Sequence, residues 1–139
     1  MKIQVYNPDT LSLEQDSATG IDFGTVFQGN HSESAVVVRP VATTENNFLQ
    51  MQLFLQSVGG FTNSSFGYYK NSTLSAGISA GSNFLSDHFT VNTSPTVTGL
   101  YGVPLTAANP EYVWMDVQTG DREAGSTSTV NYQFSFEYN

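Results

Sequence analysis

The carboxyl-terminal run from Val130 to Tyr138 constrains the fold more than any other feature of the chain. Val130, Tyr132, Phe134, Phe136 and Tyr138 alternate with Asn131, Gln133, Ser135 and Glu137. A period of two places the apolar residues on one side of an extended strand and the polar ones on the other. Aromatic and β-branched side chains also favour such a pleated, half-buried surface. Tyr112 to Val117 reads as a second strand, and the polar, glycine-marked segment Thr119 to Ser126 as the turn joining the two into a hairpin.

The same period recurs earlier in the chain. Phe48 to Gln56 sets Leu49, Met51, Leu53 and Leu55 against Phe48, Gln50, Gln52, Phe54 and Gln56. A helix competes for this stretch, but the glutamines repeat every second position and Gly59-Gly60 closes the run, so a strand is the better reading. Ala35 to Arg39 is a β-branched run stopped by Pro40, and Lys2 to Tyr6 is a short strand stopped by Pro8. Between Ser57 and Pro110 the composition turns to Gly, Ser, Thr and Asn, with candidate strands at Gly67 to Lys70, Leu74 to Ile78, His88 to Asn92 and Val97 to Tyr101. Phe61, Phe66, Tyr68, Tyr69, Phe84 and Phe89 make that stretch too aromatic for a linker.

About seven to nine short antiparallel strands without an amphipathic helix predict an all-β, immunoglobulin-like β-sandwich, with a jelly roll or small barrel as the alternative. Trp114 is expected in the core between the sheets. One domain over 1–139 is the simplest division, with an amino-terminal strand and arm at 1–20 and the sandwich body at 21–139. A chain of 139 residues is long enough to form one core without staples.

Composition narrows the function. No cysteine is present, which excludes disulfides, thiolate metal sites and a cysteine nucleophile. Four basic residues against twelve acidic ones give a net charge of −8, a balance that repels phosphate backbones, so nucleic acid is not an expected partner. Ten Phe and seven Tyr separate the chain from disordered acidic sequences. The amino terminus carries no apolar run of signal-peptide length and no stretch is long enough to span a bilayer, so synthesis in the cytosol without membrane insertion is expected.

Residues able to do chemistry are few. His31 and His88 have no acidic partner at a spacing that would orient them, and Asp116 with Asp121 or Glu123 reads more simply as a solvated turn than as an acid/base pair. Gly77 and Gly81 lack the lysine and the strand-to-helix context of a phosphate loop. Asp9, Glu14, Asp16 and Asp22 are oxygen donors without calcium-loop spacing. Asn30, Asn63, Asn71 and Asn92 head glycosylation triplets that a chain this rich in Asn, Ser and Thr generates by chance. No catalytic residue, metal ligand or cofactor is therefore assigned, and the chain is read as a non-enzyme. Phe66, Tyr68 and Tyr69 beside Gly/Ser-rich loops are either core or an exposed aromatic patch for protein or sugar contact.

The stretch Ile21-Asp22-Phe23-Gly24-Thr25-Val26-Phe27-Gln28-Gly29, followed by Ala35-Val36-Val37-Val38, resembles the opening of the ASH-type immunoglobulin-like domains. That resemblance implies inward-pointing Phe23 and Val26, a bend at Gly24 and a turn at Gly29. Here the valine strand runs into Arg39-Pro40 instead of the Asn and turn usual in that family. In overall character the chain also looks like the decoration (cement) proteins of tailed-bacteriophage capsids. The likeness implies a structural virion protein on the capsid surface that bridges major capsid subunits, either as a homo-oligomer such as a trimer or through lattice neighbours. Ile3, Val5, Tyr6 and Pro8 are the expected capsid contact, by adding a strand to a partner's sheet edge. The alternative is a carbohydrate- or receptor-binding module of a tail or surface appendage, with Tyr68, Tyr69 or Tyr101 stacking on sugar rings.

Overall fold

A computed structural model describes residues 2–23, 32–41, 48–71, 73–74, 87–90, 112–123 and 130–138. Its regular elements are all strands: β1 (Lys2–Tyr6), β2 (Leu13–Gln15), β3 (Ser32–Val41), β4 (Phe48–Ser57), β5 (Ser64–Asn71), β6 (Asp87–His88), β7 (Tyr112–Thr119) and β8 (Asn131–Tyr138). They form a six-stranded sheet in the order β2-β1-β3-β7-β5-β6 and a two-stranded sheet of β4 and β8. Every pairing is antiparallel. The all-β expectation holds, and the chain moves between sheets at β3 to β4, β4 to β5 and β7 to β8. Among the described residues no helix is long and apolar enough to cross a membrane.

The core lies where one face of the large sheet meets the small one. Val5, Val36, Val38, Phe66, Val113, Met115 and Val117 pack with Leu53 and Leu55 of β4, and Tyr132 and Phe134 of β8 close over them. Both leucines are fully buried, as the alternation in β4 requires. Each side chain removed from water in this way contributes about 1.5–3 kcal/mol. Aromatic contacts knit the seam: Phe89 lies 4.5 Å from Tyr68 and 5.6 Å from Tyr132, and Phe61 meets Phe66 edge-on at 5.6 Å.

Three sequence expectations need correction. β7 and β8 do not form a hairpin, because β7 sits between β3 and β5 at the centre of the large sheet while β8 pairs with β4. Trp114 is fully buried, but it packs with Val37 on the opposite face of the large sheet from the inter-sheet core. The third concerns Pro40, which does not stop β3. The strand continues to Val41, with Pro40 opposite Ile3 of β1. Pairing of β3 to β7 ends at Val38, so the residue without an N–H falls where one side of the strand is an edge, a position proline tolerates.

Of the candidate strands after Ser57, Gly67 to Lys70 lies inside β5, Leu74 belongs to no strand, and His88 ends the two-residue β6. The remainder of the Leu74 to Ile78 and His88 to Asn92 candidates, apart from Phe89 and Thr90, lies outside the described residues, as do Val97 to Tyr101 and positions 24–31. Phe23 packs partly buried against the inter-sheet core.

Candidate interaction surfaces

The amino-terminal contact residues do not form one surface. β1 is an interior strand between β2 and β3, Val5 is buried in the core, Ile3 packs against that core, and Pro8 is buried. Tyr6 alone of the four turns to the other face. The proposed aromatic patch divides in the same way. Phe66 is only 2% exposed and belongs to the core, Tyr68 packs on the core beside Phe89, and only Tyr69 joins Trp114 on the outer face. Alternation along an extended strand separates neighbours of opposite parity, so neither set could share a side.

What the fold assembles instead is a row of rings on the outer face of the large sheet. Tyr6 meets Tyr112 edge-on at 5.8 Å, Tyr112 lies 6.4 Å from Trp114, and Trp114 lies 6.0 Å from Tyr69. The register produces this row, because Tyr6 pairs with Val37, Val37 with Trp114, and Trp114 with Tyr69 across four adjacent strands. The Arg39 guanidinium sits over the Tyr112 ring at 5.6 Å, and its Nη1 donates to Gln4 Oε1 at 3.3 Å. Tyr6 donates its hydroxyl to the same oxygen at 3.3 Å. Two donors on this face, Trp114 Nε1 and Arg39 Nε, are buried without a hydrogen-bond partner among the described residues. An orphaned buried donor costs about 1–3 kcal/mol. Leu74 and the rings of Tyr6, Tyr69 and Tyr112 are the partly buried cover packed on Trp114 and Val37.

The carboxylates considered for acid/base work are each committed elsewhere. Asp116 is 2% exposed on β7; its Oδ1 accepts from the Gly67 amide at 2.8 Å and its Oδ2 from Gln118 Nε2 at 2.9 Å. Glu123 is not a solvated turn residue but is 3% exposed. Its carboxylate accepts from Thr62 N and Thr62 Oγ1 at 2.8 and 3.2 Å, from Asn63 N at 2.7 Å and from Ser64 Oγ at 2.6 Å. Burial pushes this carboxyl up, but the four donors outweigh it and hold it at about 2. Gly120 N donates to Asn63 O at 2.8 Å beside this clamp. A Cβ at Gly120 would lie 2.9 Å from that oxygen and 2.8 Å from Asn63 Cγ, so only glycine allows the approach. The two contacts tie the segment after β7 to the entry of β5. Nothing local announced this role for Glu123, since its donors lie about sixty residues away.

The acidic amino-terminal residues make ordinary structural bonds. Lys2 Nζ and Gln4 Nε2 each donate to Asp16 at 2.7 Å, and these partners, Lys2 first, hold its carboxyl below the usual range. Glu14 accepts from Asn7 Nδ2 at 3.0 Å. The β1–β2 loop is closed by Asn7, whose Oδ1 accepts from the amides of Asp9 and Thr10, both at 2.9 Å. Among the described residues no three His, Asp or Glu side chains gather as a metal site. β6 puts His88 opposite Gly67, whereas His31, Gly77, Gly81 and Tyr101 lie outside the described residues.

The small sheet presents the other surface. On β4 and β8, Gln56 donates its amide to Gln133 Oε1, and Asn131 Nδ2 donates to Ser57 Oγ at 2.9 Å. Both pairs are exposed, and both are uncharged. Among the described residues each strand of this sheet pairs only with the other, over ten residues of β4 and eight of β8. No protein-family model, curated protein or solved structure matches the chain, so its functional reading rests on these residues and their geometry.

Proposed function

We propose that this chain is a non-catalytic structural virion protein, made in the host cytoplasm, that binds the outer face of a tailed-phage capsid and bridges neighbouring major capsid subunits. The observation that carries the reading is the small sheet. Its exposed Gln56 and Asn131 pair with the half-buried Gln133 and Ser57 through uncharged amide and hydroxyl bonds, and its two strands are long with unshared edges among the described residues. Such a surface suits contact through buried area and backbone pairing instead of charge matching. A standard interface removes about 1,600 Å² from water, and repetition over a lattice multiplies modest contacts. The acidic, cysteine-free composition and the β-sandwich architecture support the same role. The contact is assigned to β4 and β8, not to the amino terminus, because Val5 and Pro8 are buried within the domain.

The test is co-sedimentation with intact heads of the phage that encodes the chain. Saturable binding at lattice stoichiometry, with a raised head melting temperature, is the expected result. The double variant Gln56→Glu/Gln133→Glu should stay folded and remain in the supernatant. A wild-type protein that never pellets with heads would overturn the reading.

A further inference from the structure

We infer that the outer aromatic row is a binding site for a carboxylated glycan, separate from the lattice-facing sheet. The row offers what such a ligand needs. Half-buried tyrosines at positions 6, 112 and 69 present ring faces and edges to the apolar C–H surfaces of a sugar, at steps of 5.8, 6.4 and 6.0 Å through Trp114.

The choice of occupant follows from the unpartnered groups. Trp114 is fully buried, and its Nε1 has no acceptor; Arg39 Nε is in the same condition. Both are donors, so a ligand that answers them would supply acceptor oxygens. The internal acceptor nearest by bonding, Gln4 Oε1, is already shared by Arg39 Nη1 and the Tyr6 hydroxyl. Arg39 adds a positive charge over Tyr112, and a carboxylate answers that charge while filling the guanidinium's open Nε–H. Hydroxyl or ring oxygens of the same ligand would accept from the indole. An extended peptide is disfavoured, because it would join a strand edge, and these rings lie on the face of the large sheet, on β1, β7 and β5, which are all interior strands. Leu74 follows β5 and packs over Trp114, so its side chain must yield for the indole N–H to be reached.

Trp114 is the chain's sole tryptophan, so its emission reports the site without a label. Titration of the full chain with 3′-sialyllactose and with oligogalacturonate should shift that emission saturably, while lactose and maltohexaose should not. Arg39→Met should weaken the carboxylated ligands by about tenfold or more, with an unchanged thermal melt and unchanged sedimentation with heads. Leu74→Ala should tighten them. Absence of any shift with both carboxylated probes, equal response to the neutral sugars, or indifference to Arg39→Met overturns the assignment. So does photocrosslinking from position 112 that captures a virion protein instead of a glycan probe. Head binding is read in the same samples, so loss of the glycan result leaves the capsid reading standing, and the reverse.

Discussion

On the inner face of the large sheet, Val5, Val38, Val113 and Met115 lie against Leu53 and Leu55, and Tyr132, packed on this core, buries its hydroxyl there. On the outer face, Val37 and Trp114 are just as dry, yet their cover is three tyrosines and Leu74, with Arg39 and Gln4 bonded at the margin. The inner face is closed by a second sheet made of long-range pairing and leaves the Tyr132 hydroxyl unanswered, whereas the outer face is closed by side chains and leaves two donors, Trp114 Nε1 and Arg39 Nε, unanswered among the described residues. The first arrangement stores stability. The second leaves more of its polar groups unsatisfied, at a cost to stability.

The difference is measurable by truncating one residue from each side. Leu53→Ala should lose about 2–5 kcal/mol in urea unfolding, because a fully buried side chain facing two sheets leaves a cavity that cannot collapse. Trp114→Phe removes less volume and should stay within about 1 kcal/mol of wild type, since it also removes an unpartnered indole N–H. Equal losses at the two sites would erase the distinction between the faces.

Next in size is the junction that sends the chain from the large sheet to the small one. Glu123→Ala should cost about 2–4 kcal/mol by leaving the Thr62 and Asn63 amides without their acceptor. The pH dependence has a defined sign. The folded pKa of Glu123 lies at about 2, below its ordinary value of 4.5. Its contribution is therefore complete above pH 4.5 and is lost as the pH falls toward 2. Glu123→Gln should flatten that part of the stability profile, and an unchanged acid limb would refute the clamp. Gly120→Ala acts at the same junction through crowding against Asn63 and should cost about 1–2 kcal/mol.

The legible part of this fold was the part written in period two. β4 and β8 alternate cleanly because each has one covered and one wet face. β3 and β7 instead carry the runs Ala35-Val36-Val37-Val38 and Tyr112-Val113-Trp114-Met115, unbroken by polar residues. Such runs mark strands covered on both sides. Read that way, they would have disclosed a second covered face on the large sheet, though not which of the two faces takes Trp114. Parity would also have separated Tyr6 from Ile3 and Val5, and Tyr69 from Phe66 and Tyr68. The false hairpin was less accessible. A glycine-marked polar turn looks the same whether the next strand pairs with its predecessor or crosses to another sheet, and the strand that β8 does pair with, β4, lies far back in the chain.

The smallest expected effects give the finest contrast, because the same substitution should have opposite signs on the two faces. Tyr132 packs on the inner core, and its hydroxyl is buried without a partner. Tyr132→Phe should therefore raise stability by about 0.5–1 kcal/mol, since a desolvated hydroxyl is removed and no bond is lost. Burial, with the charge of Asp116 adding to it, also pushes this phenol above its ordinary value of 10.0. A raised folded pKa contributes stability that is whole below pH 10.0 and is lost as the pH climbs through the folded value, so the variant should extend the alkaline limit of folding. Tyr6→Phe on the outer face removes the donor to Gln4 Oε1 and should lower stability by no more than about 0.5 kcal/mol. Paired melts of the two variants at neutral pH read the sign directly. Two losses would mean that the inner hydroxyl has a partner after all, and two gains would mean that the Tyr6 bond stabilises nothing.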